Sequence, residues 1–242
     1  VGRGVAIALA DAGYRVVATG RSIDCALLPD SVARFRCDHL RDEETAAVFS
    51  RAGDLDVLVN SSWGGYEQMV ENGEFTWGRP FWEQPMHRWQ SMMDAGVRSA
   101  FVASALAAKS MAARGRGLVV NISFWPAQKY IGNAIYGIAK AATDKLTFDT
   151  AHELRRYGVA VVSLYPGLVR TEAVMAAADA GWLDVSNSES PEFLGRVVAA
   201  LADDPRLMER SGSVQVAAQV AIELGVKDID GRQPVPLNLE SV

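Results

Sequence analysis

GLVVNISFWPAQKYIGNAIYGIAKAATDKLTFDTAHELRRYGVAVVSLY, residues 117–165, begins and ends on short runs that are apolar almost throughout, with a long helical pattern between them. A strand whose residues are apolar on both sides is buried on both faces, and parallel sheets flanked by helices have this property. Working outward, SVARFRC (31–37) and LDVLVN (55–60) read as further strands, and Met86 to Arg114 reads as a second long helix. Near the start, Val5, Ile7, Ala8, Leu9 and Ala12 favour a helix closed by Gly13, followed by a strand in YRVVATG (14–20). At the other end, helical residues from Pro191 to Ala202 precede a last strand candidate, SVQVAA (213–218). Helices alternating with apolar strands predict an α/β fold, a doubly wound parallel sheet covered by helices on both faces.

With 242 residues, 49% hydrophobic and 22% charged, the chain suits a single domain over residues 1–242, and no Pro/Ser/Gly-rich or highly charged linker divides it. The formal net charge of −5 supplies no basic footprint for a phosphate backbone, so nucleic acid is not an expected partner. Cys25 and Cys37 are too few for a disulfide framework, which points to a reducing cytoplasm. Neither these cysteines nor His39, His87 and His152 have metal-ligand spacing, and no metal site is expected. The apolar runs fall short of the roughly 20 residues that span a bilayer. VGRGVAIALADAG reads as the middle of a motif, which raises the expectation of a strand and a Gly-rich turn ahead of Val1.

The chemistry concentrates in SFWPAQKYIGNAIYGIAK, where Tyr136 and Lys140 stand four apart and share one helix face. A phenol with a pKa near 10 is a poor acid-base group at neutral pH, and a neighbouring ammonium favours its ionised form. Ser123 follows the strand GLVVNI, so its hydroxyl sits at the carboxyl edge of a parallel sheet, where ligands bind.

This segment resembles the Ser, Tyr, Lys active-site segment of the short-chain dehydrogenase/reductase family, at that family's usual separations. Other stretches agree: VGRG resembles the end of a TGxxxGxG turn, LDVLVNSSW a strand ending in NNAG, and YPGLVRT a PGxxxT segment. The tail SGSVQVAAQVAIELGVKDIDGR resembles one particular subgroup of the family, whereas Ser22 to Val32 and Arg51 to Leu55 look several residues short. The resemblance implies a Rossmann-type domain that binds NAD(P). It implies that Tyr136 protonates a carbonyl oxygen, that Lys140 binds the nicotinamide ribose and lowers the tyrosine pKa, and that Ser123 polarises the carbonyl. It places Val1 and Gly2 at the phosphate turn, Asp38 at the adenine and Asn60 near the ribose. Pro166, Gly167, Val169 and Thr171 fall at the nicotinamide carboxamide. A homodimer or homotetramer built on the two long helices is also implied.

Two departures stand out. The family's catalytic asparagine, seven residues beyond a tryptophan, falls on Gly96 when counted from Trp89, and Ser61, Ser62 and Trp63 replace the rest of NNAG. For the cofactor, no acid ends the strand at Thr19 or Gly20, and Arg21 follows; an acid there would bond the 2′-hydroxyl of NAD, whereas a guanidinium suits a 2′-phosphate. NADP(H) is therefore the preferred cofactor and NAD(H) the alternative. Asp38 would equally serve as an N-cap for a helix beginning near Arg41. The long connection from Asn60 to Trp89 is rich in aromatics, and Trp63, Trp82, Trp125 and Trp182 are expected to wall a substrate pocket suited to a bulky hydrophobic ketone, aldehyde or alcohol. The rival readings are an NAD-preferring alcohol dehydrogenase, a dinucleotide-binding sensor or scaffold without turnover and, more remotely, a methyltransferase of similar fold.

Overall fold

The computed structural model describes residues 1–66 and 68–242. Helix α1 (Gly2–Asp11) leads to strand β1 (Val17–Gly20), β2 (Ala33–Arg36), α2 (Asp42–Ala52) and β3 (Val57–Asn60). The long connection carries a small hairpin, β4 (Val70–Glu71) and β5 (Glu74–Phe75), before α3 (Met86–Met92), a π-helical stretch (Met93–Arg98) and α4 (Ser99–Arg114). Then come β6 (Gly117–Ile122), α5 (Ala134–Leu154) and β7 (Val159–Tyr165), followed by β8 (Leu168–Val169), α6 (Glu172–Asp179) and β9 (Ser188–Glu189). The chain finishes with α7 (Pro191–Ala202), α8 (Leu207–Arg210), β10 (Val214–Val216) and α9 (Ala217–Leu224). The alanine pair of SVQVAA, Ala217 and Ala218, thus starts a helix instead of ending a strand, since only Val214 to Val216 find ladder partners on β7.

The central sheet has the order β10-β7-β6-β3, all parallel, and β1 pairs in parallel with β2 beside it. Its core follows from alternation along each strand. Leu118, Val120, Ala160 and Val162 face α1, α7 and α9, whereas Val119, Val159 and Val161 face α4 and α5 through Ala107, Met111 and Ala151. Both faces are therefore dry, as the apolar runs require. β1 and β3 share no ladder, and a slot of about 370 Å3 walled by Val17, Ala18, Val57 and Val59, with Val5 and Leu9 from α1, lies between them.

Asn60 closes β3, Ser123 follows β6, and Pro166 follows β7. Parallel strands bring these ends to one edge, and ligands of open α/β sheets bind outside the carboxyl ends of the strands. Among the described residues no helix is long and apolar enough to cross a membrane.

Candidate active site

The position of Tyr136 is set by the first turn of α5. Asn133 caps the helix, its side-chain oxygen accepting from the Tyr136 amide at 3.0 Å while its amide group donates to the Trp77 carbonyl at 2.9 Å. A cap of this kind satisfies one of the helix's free amides and fixes where the helix begins. Tyr136 and Lys140 then follow on one face, 5% and 6% exposed.

The Tyr136 hydroxyl lies 2.6 Å from the hydroxyl of Tyr66. Trp63 and Trp77 pack against its ring, with centroids 5.6 and 5.4 Å away. Burial, with the Tyr66 hydroxyl acting in the same sense, holds the Tyr136 phenol well above its ordinary range. Lys140 Nζ donates to the Ile122 carbonyl at 3.1 Å and stands 4.1 Å over the Trp63 ring. Burial pushes this ammonium down to about 8, opposed in part by Asp144. In this arrangement desolvation, and not Lys140, governs the Tyr136 phenol. Ser123 is buried and donates to the Lys140 carbonyl at 3.3 Å; among the described residues no hydrogen bond joins it to Tyr136.

Asn60 ties the strand ends together. Its amide donates to Asn121 at 2.8 Å and to Ser104 at 3.0 Å, Asn121 donates to Thr147 at 2.8 Å, and Ser163 donates to Thr147 at 2.9 Å. A buried polar network of this kind is stable because its members satisfy one another.

The two departures from the family pattern meet in space. A Cβ built on Gly96 would come within 2.9 Å of Trp63 Cε3 and Cζ3, so the indole fills the volume that a side chain at position 96 would need. The backbone widens into the π-helical stretch at this point, and Ser99 donates to the Ala95 carbonyl at 2.6 Å. Trp63 and Gly96 are therefore one steric solution made of two residues.

A cleft of about 620 Å3 opens beside this site, lined by Gly2, Arg21, Asp38, Ser61 and Trp63 among others. A Cβ on Gly2 would stand 2.7 Å from Ser61 Oγ, so a larger residue at the start of α1 would have to turn the Ser61 side chain aside. Val1 is the N-cap of α1. A helix start that opens onto such a cleft, with Arg21 and no acid at the end of β1, fits a dinucleotide and its phosphates. Asp38 lines the cleft, and its carboxylate accepts from the Leu40 amide at 3.1 Å. It is a turn residue and not the N-cap of α2, because the cap position falls on Arg41.

Beyond β7, Pro166 and Gly167 lead into β8, which contains Val169, and Thr171 caps α6 by accepting from Val174 at 3.4 Å. Beneath Gly167 lies Glu189, 1% exposed, whose carboxyl is pushed up to about 8 chiefly by burial. Of the expected pocket tryptophans, Trp63 reaches Tyr136. Trp125 is buried against Tyr165, with centroids 5.1 Å apart. Trp82 and Trp182 are 72% and 81% exposed and make no ring contact with Tyr136.

Tyr66 and Trp77 are visible in the sequence among the aromatics of the long connection but without an assigned role, and the sequence singles out neither Asn133 nor the buried Arg88, which binds the Thr76 carbonyl and hydroxyl, Gln84 and the Gln68 carbonyl. Only Asn133 carries a readable signal, a capping residue just ahead of an apolar helical run.

Comparison with known proteins agrees with this geometry. The short chain dehydrogenase family profile matches residues 1–181. The chain is 37% identical to mouse (Mus musculus) dehydrogenase/reductase SDR family member 1 over 256 aligned positions, covering 96% of this chain and 80% of the relative. It is 36% identical to the human (Homo sapiens) protein of the same name, covering 100% of this chain and 84% of that relative. A solved short chain dehydrogenase/reductase family protein superposes with a TM-score of 0.72 at 30% identity, covering 88% of each chain. The chain belongs to the short-chain dehydrogenase/reductase family and is an NAD(P)-dependent oxidoreductase acting on alcohol and carbonyl groups.

Proposed function

We propose that the chain interconverts a bulky hydrophobic ketone or aldehyde and its alcohol, with Tyr136 as acid-base residue and NADP(H) as the preferred cofactor. The observation that carries this reading is the buried Tyr136–Lys140 pair, whose tyrosine hydroxyl opens onto an aromatic enclosure beside the cleft at the start of α1. When bound, the cofactor supplies the hydride that adds to the carbonyl carbon. Tyr136 gives its hydroxyl proton to the carbonyl oxygen, leaving an alcohol and a phenolate that solvent reprotonates. Lys140, one of whose three donors is committed to Ile122, holds the nicotinamide ribose with the others and offsets the phenolate charge. Ser123 hydrogen-bonds the carbonyl oxygen, which requires its hydroxyl to turn from the Lys140 carbonyl. Asn60, Val1, Gly2, Asp38, Pro166, Gly167, Val169 and Thr171 shape the cofactor site, with Arg21 reading the 2′-phosphate.

The walls around Tyr136 support an apolar substrate, since Trp63 and Trp77 are its near neighbours. A single domain over 1–242 is consistent with one continuous core on each face of the sheet. Phe101 on α4 with Ile138 and Phe148 on α5 are exposed apolar residues on the two long helices, which supports assembly as a homodimer or homotetramer. The free thiols of Cys25 and Cys37 suit the cytoplasm. The test is NADPH oxidation against a panel of hydrophobic ketones, with dissociation constants for NADPH and NADH measured in parallel. Turnover with tighter NADPH binding is expected. Cofactor binding without turnover on any ketone or alcohol would favour the sensor instead.

A further inference from the structure

Tyr66 is held in an unusual way for a residue of a surface connection. Its ring contacts Trp63, Trp77 and Tyr136 at centroid distances of 5.8, 5.7 and 5.8 Å. Its hydroxyl lies 2.6 Å from that of Tyr136, yet 51% of the residue is exposed. The phenol therefore enters a three-walled aromatic cage head first and shows its other side to solvent. Among the described residues, the Tyr66 oxygen is the one hydrogen-bond partner of the Tyr136 hydroxyl.

A general acid must stand roughly 2.6–3.2 Å from the atom it protonates. The oxygen of a reacting carbonyl and the oxygen of Tyr66 consequently claim the same place, and whatever carries that carbonyl claims the place of the Tyr66 ring. We propose that Tyr66 is an internal occupant of the substrate's ring site. The cage of Trp63, Trp77 and Tyr136 takes one six-membered ring bearing an oxygen that meets the Tyr136 hydroxyl, and Tyr66 turns outward to admit it. This inference rests on the reading of Tyr136 as the acid, and it narrows the bulky hydrophobic carbonyl to one presented on a six-membered ring. With one side-chain hydrogen bond among the described residues and an exposed flank, an outward turn of Tyr66 gives up ring contacts but only that one polar contact. The body of the connection stays in place because Arg88, 2% exposed, holds residues 68, 76 and 84.

A site that is filled by its own side chain binds a ligand more weakly by the fraction of time it stands open. The probe is p-cresol, the tyrosine side chain as a free molecule, with binding followed by calorimetry and tryptophan fluorescence. Tyr66→Ala should bind p-cresol about tenfold or more tighter than the parent, and Trp77→Ala added to that variant should abolish the gain. In the same Tyr66→Ala protein the KM for cyclohexanone should fall without loss of kcat, and p-cresol should inhibit competitively. Tyr66→Phe, which keeps the ring, should bind p-cresol within a few-fold of the parent. Unchanged p-cresol affinity in Tyr66→Ala would overturn the proposal, as would a large fall in kcat with Tyr66→Phe, which would make Tyr66 a partner in the reaction. Because p-cresol binding needs no turnover, tighter binding in a protein inactive on every ketone would leave the ring site standing and count against the catalytic reading alone.

Discussion

The strand–helix–strand unit β6–α5–β7 and the connection between β3 and α3 both contribute to the surroundings of Tyr136, but they are held by different forces. In the first, backbone ladders and a dry core set every position: β6 pairs with β7 from Gly117 to Ile122, and every residue of β7 is buried. In the second, the described backbone forms a hairpin of two-residue strands and a short 3-10 turn (Phe81–Glu83), and much of the order comes from side chains, with Arg88 binding three segments and Tyr66 reaching Tyr136. The proposed acid-base residue is thus built on the rigid part, while what surrounds it is built on the part that can change.

The largest effect should come from the rigid side. Lys140→Ala should weaken cofactor binding and lower the rate together, by about 100-fold or more in the rate, because acid-base catalysis is commonly worth roughly 100- to 10,000-fold and this residue supports it. An effect on rate alone would remove the ribose contact. The pH profile sharpens the same point. The Lys140 ammonium is depressed to about 8 by burial, so its charge is present below that pH and is lost as the pH rises through it. Cofactor affinity and reduction rate should therefore decline above about pH 8 in the parent, with a flatter profile in Lys140→Ala.

On the adaptable side, Arg88→Met keeps much of the volume and removes four hydrogen bonds from the guanidinium. At about 0.5–1.5 kcal/mol each, these should cost roughly 2–6 kcal/mol, most of it local. Hydrogen exchange should show amides near residues 68–84 losing protection while those of β6 and β7 keep theirs. Uniform loss across the chain would mean that the two regions are not separable.

Where the connection meets the π-helical stretch, Gly96→Ala should cost about 1–3 kcal/mol by overpacking against Trp63. The same substitution made with Trp63→Ala should cost much less, a coupling that a double-mutant cycle reads directly. Equal costs in both backgrounds would show that Gly96 is required for the π-helical backbone and not for the indole.

The smallest effect concerns the cleft that the connection lines together with the ends of β1 and β2. Arg21→Ala should weaken NADPH binding roughly tenfold, about 1.4 kcal/mol, and leave NADH nearly unchanged. Equal weakening of both cofactors would remove Arg21 as the phosphate reader.

The same division explains what the sequence discloses. Strands β6 and β7 and helix α5 are legible because burial on two faces leaves a continuous apolar run and a helical period. Tyr136 and Lys140 are legible because a spacing of four fixes a shared face. Trp63 is visible as a departure from NNAG, and Gly96 as a departure from the asparagine, yet nothing in one dimension says that each makes room for the other. Tyr66, Trp77 and Arg88 lie where no period governs the chain, and their roles arise from contacts made only after the connection folds back. Asp38 shows the converse: a capping residue type near a helix start turns out to shape the preceding turn, because the cap position falls three residues later.

In the proposed reaction Tyr136 supplies the proton for carbonyl reduction. Single-turnover reduction of a hydrophobic ketone by NADPH, run on the parent and on Tyr136→Phe with the NADPH dissociation constant measured for each, tests it most directly. The account predicts a rate lowered by about 100- to 10,000-fold with cofactor affinity within a few-fold of the parent. Near-parental turnover by Tyr136→Phe would contradict it.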